Sequence, residues 1–162
     1  MGILAVGHLS PEQTREEIRK TRALTSAPFG VGAALLMPGA KDNVEIALEE
    51  RVPLINFSLG KGDFICDRAH AYGGKVLATV VNRKHALAAE RAGVDGLIVT
   101  GHEAAAHGGD VTSLVLVPSI RSITQLPIVA AGGFATGASL VAALALGADA
   151  IAMGTRFLAT RE

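Results

Sequence analysis

An α/β fold of parallel strands is predicted by three features of the 162-residue sequence. Short apolar runs recur along the chain, most gaps between them hold one amphipathic helix, and the runs are continuous rather than alternating. Continuous runs are typical of parallel strands that are covered on both faces. We therefore predict seven buried strands, over residues 3–6, 29–36, 52–57, 75–81, 96–100, 127–131 and 150–153.

Capping residues mark several of the helices between these strands. Ser10-Pro11-Glu12-Gln13 combines an N-cap serine, a proline at the first helical position and a glutamine that can complete a capping box. A helix is therefore predicted from this segment to about Leu24. Glycines that can adopt the left-handed conformation at a helix C-terminus follow three other predicted helices, at Gly73-Gly74, Gly93 and Gly147.

The alternation of strands and helices fits either a doubly wound parallel sheet or most of a (β/α)8 barrel. No linker, low-complexity tract or shift in composition divides the sequence, so one domain over residues 1–162 is predicted. In both architectures ligands bind at the carboxyl ends of the strands. The candidate ligand loops are therefore those after Thr100, Ala131 and Met153.

Composition argues against several classes of partner. Lysine plus arginine equals aspartate plus glutamate at 15 each, so no basic field favours nucleic acid or a membrane surface. No apolar run reaches the roughly 18 residues that a membrane span needs, and the start does not resemble a signal peptide. A lone Cys66 fits a reducing compartment, and we expect a cytoplasmic protein. No spacing of His, Cys and carboxylates predicts a metal site.

Two glycine-rich loops predict a phosphate site. Gly132-Gly133 opens a helix with Thr136 as its predicted N-cap, and the amide groups at a helix start suit an anion. Gly154 and Thr155 follow the next strand along the chain. In (β/α)8 barrels the loops after the last two strands often share one phosphate.

A third loop, residues 101–109, sets histidine among mostly small residues after a buried strand. An imidazole can act there as acid or base while a flat ligand approaches the backbone. Glu103 in this loop is interpreted as a solvated charge, and His102 as a surface or cap histidine.

The segments 127–133, 142–149 and 153–160, together with the loop 101–107, resemble the FMN-binding half of nitronate monooxygenases, formerly called 2-nitropropane dioxygenases. The resemblance implies a TIM-barrel-like (β/α)8 fold with no counterpart here of the family's first strand and C-terminal extension. It also implies a flavoenzyme that oxidises alkyl nitronates or nitroalkanes with molecular oxygen to carbonyl compounds and nitrite. His107 falls on the family's catalytic histidine and is the expected general base, while bound FMN accepts electrons.

The same resemblance implies a set of FMN-binding positions. They are Gly32, Thr100, Ala105, Gly132, Gly133, Met153, Gly154 and Thr155. Gly32 stands where the family commonly has an asparagine, Thr100 where it often has a glutamine, and Ala105 where it usually has a glycine.

Two alternatives remain open. A related flavin-dependent enoyl-acyl-carrier-protein reductase shares the glycine and histidine motifs and requires a nicotinamide cofactor. A non-catalytic remnant is the other alternative, which associates through strand edges left open by the missing first strand. Because such edges favour pairing, we expect a homo-oligomer.

Overall fold

The computed structural model describes residues 1–105 and 108–161. The chain forms two compact units, one of residues 1–78 with 92–95 and the other of residues 79–91 with 96–162. We call them unit 1 and unit 2. Within the described residues no helix is both long and apolar enough to cross a membrane.

Unit 1 contains three parallel β/α steps and most of a fourth strand. Its strands are β1 (Ile3–Ala5), β2 (Gly30–Ala34), β3 (Leu54–Ser58) and the first part of β4 (Lys75–Val80). Its helices are α1 (Pro11–Leu24), α2 (Ala40–Glu49) and α3 (Asp63–His70). Each strand pairs in parallel with the next strand along the chain.

Unit 2 begins with the last two residues of β4 and then repeats this pattern. Its strands are β5 (Gly96–Thr100), β6 (Ile128–Ala131) and β7 (Ala150–Ala152). Its helices are α4 (Arg83–Arg91), α5 (Ser113–Arg121), α6 (Gly137–Ala145) and α7 (Thr155–Leu158). β5 pairs with β6 and β6 with β7, again in parallel.

The strand order inside each unit favours the barrel over the doubly wound sheet. A doubly wound sheet reverses its strand order at a switch point, whereas the strands of a (β/α)8 barrel follow one another in sequence. Both units show the sequential order. The seven predicted strands are present, with ends that differ from the apolar runs by at most two residues.

The prediction that all seven strands are buried is wrong for β1 and β7. Ile3 in β1 is 40% exposed, and every residue of β7 is half-buried. The described residues give each of these strands a pairing partner on one side only within its own unit. The inner strands carry the core, with Val31, Ile55, Leu97 and Ile128 fully buried.

Helix ends follow the sequence signals closely. The capping box of Ser10 and Gln13 is formed at the start of α1, as predicted. Gly73, Gly93 and Gly147 all have positive φ, between 83° and 97°, so the predicted left-handed stops are confirmed. Glycine is favoured there because it lacks the Cβ that clashes in this conformation.

Arg51 adopts a left-handed conformation at the C-terminus of α2, a position where glycine is usual. Its φ is 48°, its N–H donates to the Leu48 carbonyl, and the Val52 N–H donates to the Ala47 carbonyl. This is the hydrogen-bond pattern of a Schellman cap. A non-glycine residue in this conformation is strained by roughly 1 kcal/mol or more.

We therefore expect Arg51→Gly to raise the free energy of unfolding by about 0.5–1 kcal/mol, because relief of the strain outweighs the flexibility gained by the unfolded chain. Gly73→Ala should lower it by about 1 kcal/mol, although a Cβ at residue 73 meets no atom within 4 Å. Urea denaturation measures both variants. If both variants changed the free energy of unfolding in the same direction, the assignment of a strained left-handed Arg51 would be contradicted.

Aspartates fix the amino ends of two strands. Asp95, just before β5, accepts hydrogen bonds from the Val76 N–H and the Lys75 ammonium at 2.8 Å each, and His70 Nε2 also lies 2.8 Å away. Its own N–H donates to the Val76 carbonyl. Burial acts to raise the pKa of Asp95, but these partners outweigh it and hold the pKa below its ordinary value of 3.8.

Asp149 repeats the arrangement before β7. Its carboxylate accepts from the Ile128 N–H at 2.8 Å, and its N–H donates to the Ile128 carbonyl at 2.7 Å. Each aspartate thus pairs both backbone groups of a residue at the start of a strand. Both also follow a left-handed glycine by two residues.

The stability contributed by Asp95 should depend on pH. Because the folded-state pKa is lowered, this contribution is complete above the unfolded-state pKa and is lost as the pH falls through the folded-state value. We expect Asp95→Asn to be less stable than the parent by about 1–3 kcal/mol at pH 7. The difference should shrink below pH 3.8. Denaturant titrations from pH 7 to pH 2.5 test this, and a difference that does not change with pH would contradict it.

Candidate functional site

The candidate site of unit 2 consists of the loops that follow β5, β6 and β7. The strand register pairs Thr100 with Ala131 and Ala131 with Ala152, so the three strands end side by side. Thr100 is almost fully buried, at 8% exposure. The loops that begin at Gly101, Gly132 and Met153 therefore start from one edge of the sheet.

The β5 loop lies directly against the glycine turn after β6. The Gly101 N–H donates to the Ala131 carbonyl at 3.0 Å. Gly132 has a φ of +99°, and a Cβ there would lie 3.1 Å from the Gly101 oxygen and 3.2 Å from the Ala104 nitrogen. Both the conformation and the close approach of the two backbones require glycine.

A carboxylate joins this loop to α5. Glu103 accepts hydrogen bonds from the Ser113 N–H and the Ser113 hydroxyl, each at 2.9 Å. Burial acts to raise the pKa of Glu103, but hydrogen bonds from its own backbone N–H and from Ser113 outweigh burial and lower the pKa. The carboxylate also lies at the positive end of the α5 dipole.

Glu103 is exposed, as the interpretation of a solvated charge expects, but its carboxylate also has a specific role as the acceptor of both Ser113 hydrogen bonds. Sequence reasoning missed its role because its partner is ten residues away and is an ordinary serine. The available signal was Thr112-Ser113 at the start of an apolar helix, which leaves backbone N–H groups in need of an acceptor.

His102 closes the β5 loop locally. Its N–H donates to the Val111 carbonyl at 2.9 Å, and its ring Nδ1 lies 3.2 Å from the Gly109 carbonyl. A Cβ on Gly108 would lie 2.9 Å from the Gly101 oxygen, so this end of the loop also packs on Gly101. Ala105 is exposed. The predicted base His107 lies outside the described residues, as does Ala106.

The turn after β6 leads into a capped helix. Gly133 also has positive φ, +78°. Thr136 is the N-cap of α6, as predicted, with its hydroxyl accepting from the Ser139 N–H and the Ser139 hydroxyl accepting from the Thr136 N–H. A Cβ on Gly137, the first helical residue, would meet nothing within 4 Å.

The loop after β7 leaves its backbone open. Met153 is half-buried, whereas Gly154 and Thr155 are exposed. Gly154 has a φ of −102°, which any residue can adopt, and a Cβ there would meet no atom within 4 Å. Neither conformation nor packing within the described residues requires glycine at this position. A ligand that approaches the backbone is a physical reason for it.

Gly32 belongs to unit 1, in the middle of β2. A Cβ there would lie 3.2 Å from Ile3 and 3.9 Å from Nδ2 of Asn56, its register partner in β3. Asn56 and Ser58 form the partly exposed face of β3, a pair that sequence reasoning did not assign. The signal for them was polar residues two positions apart in an apolar run, which places them on one face of a strand.

Two further features limit the chemistry of the described residues. They contain no group of three or more His, Cys, Asp or Glu side chains arranged to hold a metal ion. Cys66 is buried in unit 1, and burial raises the pKa of its thiol to about 11. Cys66 is therefore protonated at neutral pH, and an inert thiol is expected.

Matched alanine variants should distinguish a glycine that packing requires, Gly101, from one that packing does not require, Gly154. A Cβ on Gly101 would collide with the Ser113 hydroxyl and lie 2.5 Å from Oε2 of Glu103. We expect Gly101→Ala to lower the free energy of unfolding by about 1–3 kcal/mol. Gly154→Ala should change it by no more than about 0.5 kcal/mol. Thermal unfolding without ligand measures both, and equal losses would contradict the distinction.

Solved structures resemble most of the chain. FabK from Thermotoga maritima has a TM-score of 0.94 and 39% identity, covering 98% of this chain and 51% of its own. A nitroalkane oxidase from Streptomyces ansochromogenes has a TM-score of 0.90 and 28% identity, covering 98% of this chain and 58% of its own. These similarities confirm the predicted TIM-barrel-like α/β fold class.

Sequence comparison gives the family. A (3aS,4S,5R,7aS)-5-hydroxy-7a-methyl-1-oxo-octahydro-1H-indene-4-carboxyl-CoA dehydrogenase from Rhodococcus jostii is 37% identical over 162 residues. The alignment covers all of this chain and 46% of that protein, so the chain spans about half the length of such relatives. The family model described as nitronate monooxygenase matches residues 32–162, which include all three loops of the site. This chain therefore belongs to the nitronate monooxygenase family.

Proposed function

We propose that this chain works as an FMN-dependent oxidoreductase that oxidises alkyl nitronates or nitroalkanes with molecular oxygen, releasing nitrite. The observation that carries the proposal is the family match over residues 32–162. The open Gly154 supports a cofactor site, because its backbone is accessible at the carboxyl end of a strand. The small-molecule substrate and oxygen are the partners that this reaction requires.

The residues of unit 2 fit a phosphate group. Gly132 and Gly133 have positive φ, which is unfavourable for residues with a Cβ, and Gly154 and Thr155 follow the neighbouring strand. The start of α6 adds N–H groups to the turn after β6. We propose that Gly132, Gly133, Met153, Gly154 and Thr155 hold the FMN phosphate, and that Thr100 and Ala105 contact the rest of the cofactor. Gly32, in unit 1, stays a prediction of the family resemblance.

The protein's own contribution to the chemistry is proton removal and positioning. When bound, FMN supplies an acceptor for the substrate's electrons. A nitro group acidifies the adjacent C–H bond, and we propose that the His107 imidazole removes this proton from a neutral nitroalkane. A nitronate has already lost the proton, so its oxidation does not need the base.

This difference between substrates tests the role of His107. We expect protein reconstituted with excess FMN to show bound-flavin absorbance and to release nitrite from both substrates. His107→Ala should retain FMN and slow nitroalkane turnover by about 10²–10⁴-fold, while nitronate turnover changes little. His8→Ala, an exposed histidine of unit 1, is the matched control. Absence of both flavin binding and nitrite release from the parent protein would overturn the proposal.

Gly154 offers an independent test of the cofactor site. A methyl group at this position has room in the ligand-free protein but would stand where we propose the phosphate. We expect Gly154→Ala to weaken FMN binding at least about tenfold, a loss of roughly 1.4 kcal/mol, without changing the melting temperature of the apoprotein. Gly2→Ala, also open within 4 Å, is the control. Flavin fluorescence titration measures the affinity, and an unchanged value would contradict this assignment.

A second candidate is oxidoreduction of an acyl thioester. Identity is higher to a dehydrogenase named for a carboxyl-CoA compound, at 37%, than to the nitroalkane oxidase, at 28%. The enoyl-acyl-carrier-protein reductase alternative has the same substrate chemistry. Anaerobic flavin reduction by a nicotinamide, followed by reoxidation with a thioester, would favour this candidate. A flavoprotein that neither nicotinamide nor thioester affects would exclude it.

We also propose that the chain is a cytoplasmic single domain that forms a homo-oligomer. Helix α6 supports the association, because Ala143 is its only buried residue while Val141 and Leu144 are 65% and 48% exposed. The helix carries no charged residue, so contact with a second copy meets no like-charge repulsion. Sedimentation of Val141→Glu against the parent measures this. A parent that stays monomeric at high concentration would exclude it, and would also exclude an associating remnant.

A further inference from the structure

We propose that Glu103 is a positioning residue that holds the glycine turn after β6 in its phosphate-binding conformation, acting through the Ser113 hydroxyl. The inference rests on the proposed FMN site, and it assigns Glu103 no contact with the cofactor. It is carried by a set of hydrogen bonds and close approaches inside unit 2.

The Ser113 hydroxyl has competing acceptors. Its oxygen lies 2.9 Å from Oε2 of Glu103, 3.0 Å from the Gly132 carbonyl oxygen and 3.3 Å from the Ala131 carbonyl oxygen. A hydroxyl carries one hydrogen and can donate fully to only one of them. An ionised carboxylate is the strongest acceptor of the three, so Glu103 takes this hydrogen.

Removing the charge should change the glycine turn. Without the carboxylate, the hydroxyl hydrogen turns toward the Gly132 carbonyl and pulls on the peptide whose other side is the Gly133 N–H. This N–H belongs to the turn that we propose as part of the phosphate site. Glu103 thus keeps the peptide after Gly132 free of a hydrogen bond from Ser113.

Packing around residue 103 determines how long its side chain must be. A Cβ on Gly101 would lie 2.5 Å from Oε2 of Glu103, and a Cβ on Gly133 would lie 3.3 Å from the Glu103 Cβ. Gly133 therefore leaves space for the stem of Glu103, and Gly101 leaves space for its carboxylate. Aspartate is one methylene shorter and should not span this distance.

The test compares FMN with riboflavin, which lacks the phosphate. We expect Glu103→Gln and Glu103→Asp to weaken FMN binding by about 10–100-fold, which is the range known for groups that orient the ligands of a metal ion. Riboflavin affinity should stay within about twofold. Ser113→Ala in the Glu103→Gln background should restore most of the FMN affinity, because no hydroxyl is then left to donate to the Gly132 carbonyl. Asp110→Asn, an exposed carboxylate in the same loop, is the control.

The outcomes separate this inference from the proposed function. A parent protein that binds no flavin defeats the proposed function, and the inference is then judged on the apoprotein by amide NMR. There Glu103→Gln should shift the resonances of Gly132 and Gly133 and leave that of Gly154 in place. Equal losses of FMN and riboflavin, or an unmoved glycine turn, would overturn the positioning role.

Discussion

The close contact between the β5 loop and the turn after β6 is the constraint on which the rest of the candidate site depends. Gly101 and Gly132 have no side chains, and their backbones approach to distances that a Cβ would disturb. Because the loops meet, one carboxylate can reach α5 while its stem packs on the turn after β6. A larger residue at either glycine would separate these loops and remove the geometry on which Glu103 acts.

Local features of the fold were predictable from the sequence. The capping box at Ser10, the left-handed Gly147 and the bounds of β5 depend on residues within a few positions of one another. The pairing of Glu103 with Ser113 was not predictable, because it depends on where a ten-residue loop returns. The exposure of β1 and β7 was anticipated in part: the missing first strand predicts open strand edges, whereas the apolar runs alone predict buried side chains.

The structure separates glycines that look alike in the sequence. Gly73 is needed for its φ alone, Gly101 for the space that it leaves, and Gly132 for both reasons. Gly154 is explained by neither within the described residues. The distinction supports the proposed cofactor site through the place of Gly154 just after β7, since Gly2 and Gly137 are open in the same way. It also shows why a glycine-rich motif alone is weak evidence, since most of these glycines have a structural purpose.

The two aspartates that bind the backbone at strand starts have a consequence for how such a chain can evolve. Asp95 and Asp149 hold the beginnings of strands, whereas the candidate site of unit 2 lies where its strands finish. Stability and chemistry are thus drawn from opposite ends of the same β/α unit. Mutations that reshape the ligand loops leave these aspartate contacts intact, so new specificities can be sampled while the scaffold stays folded. Relatives named for quite different substrates are the outcome expected of such a division of labour.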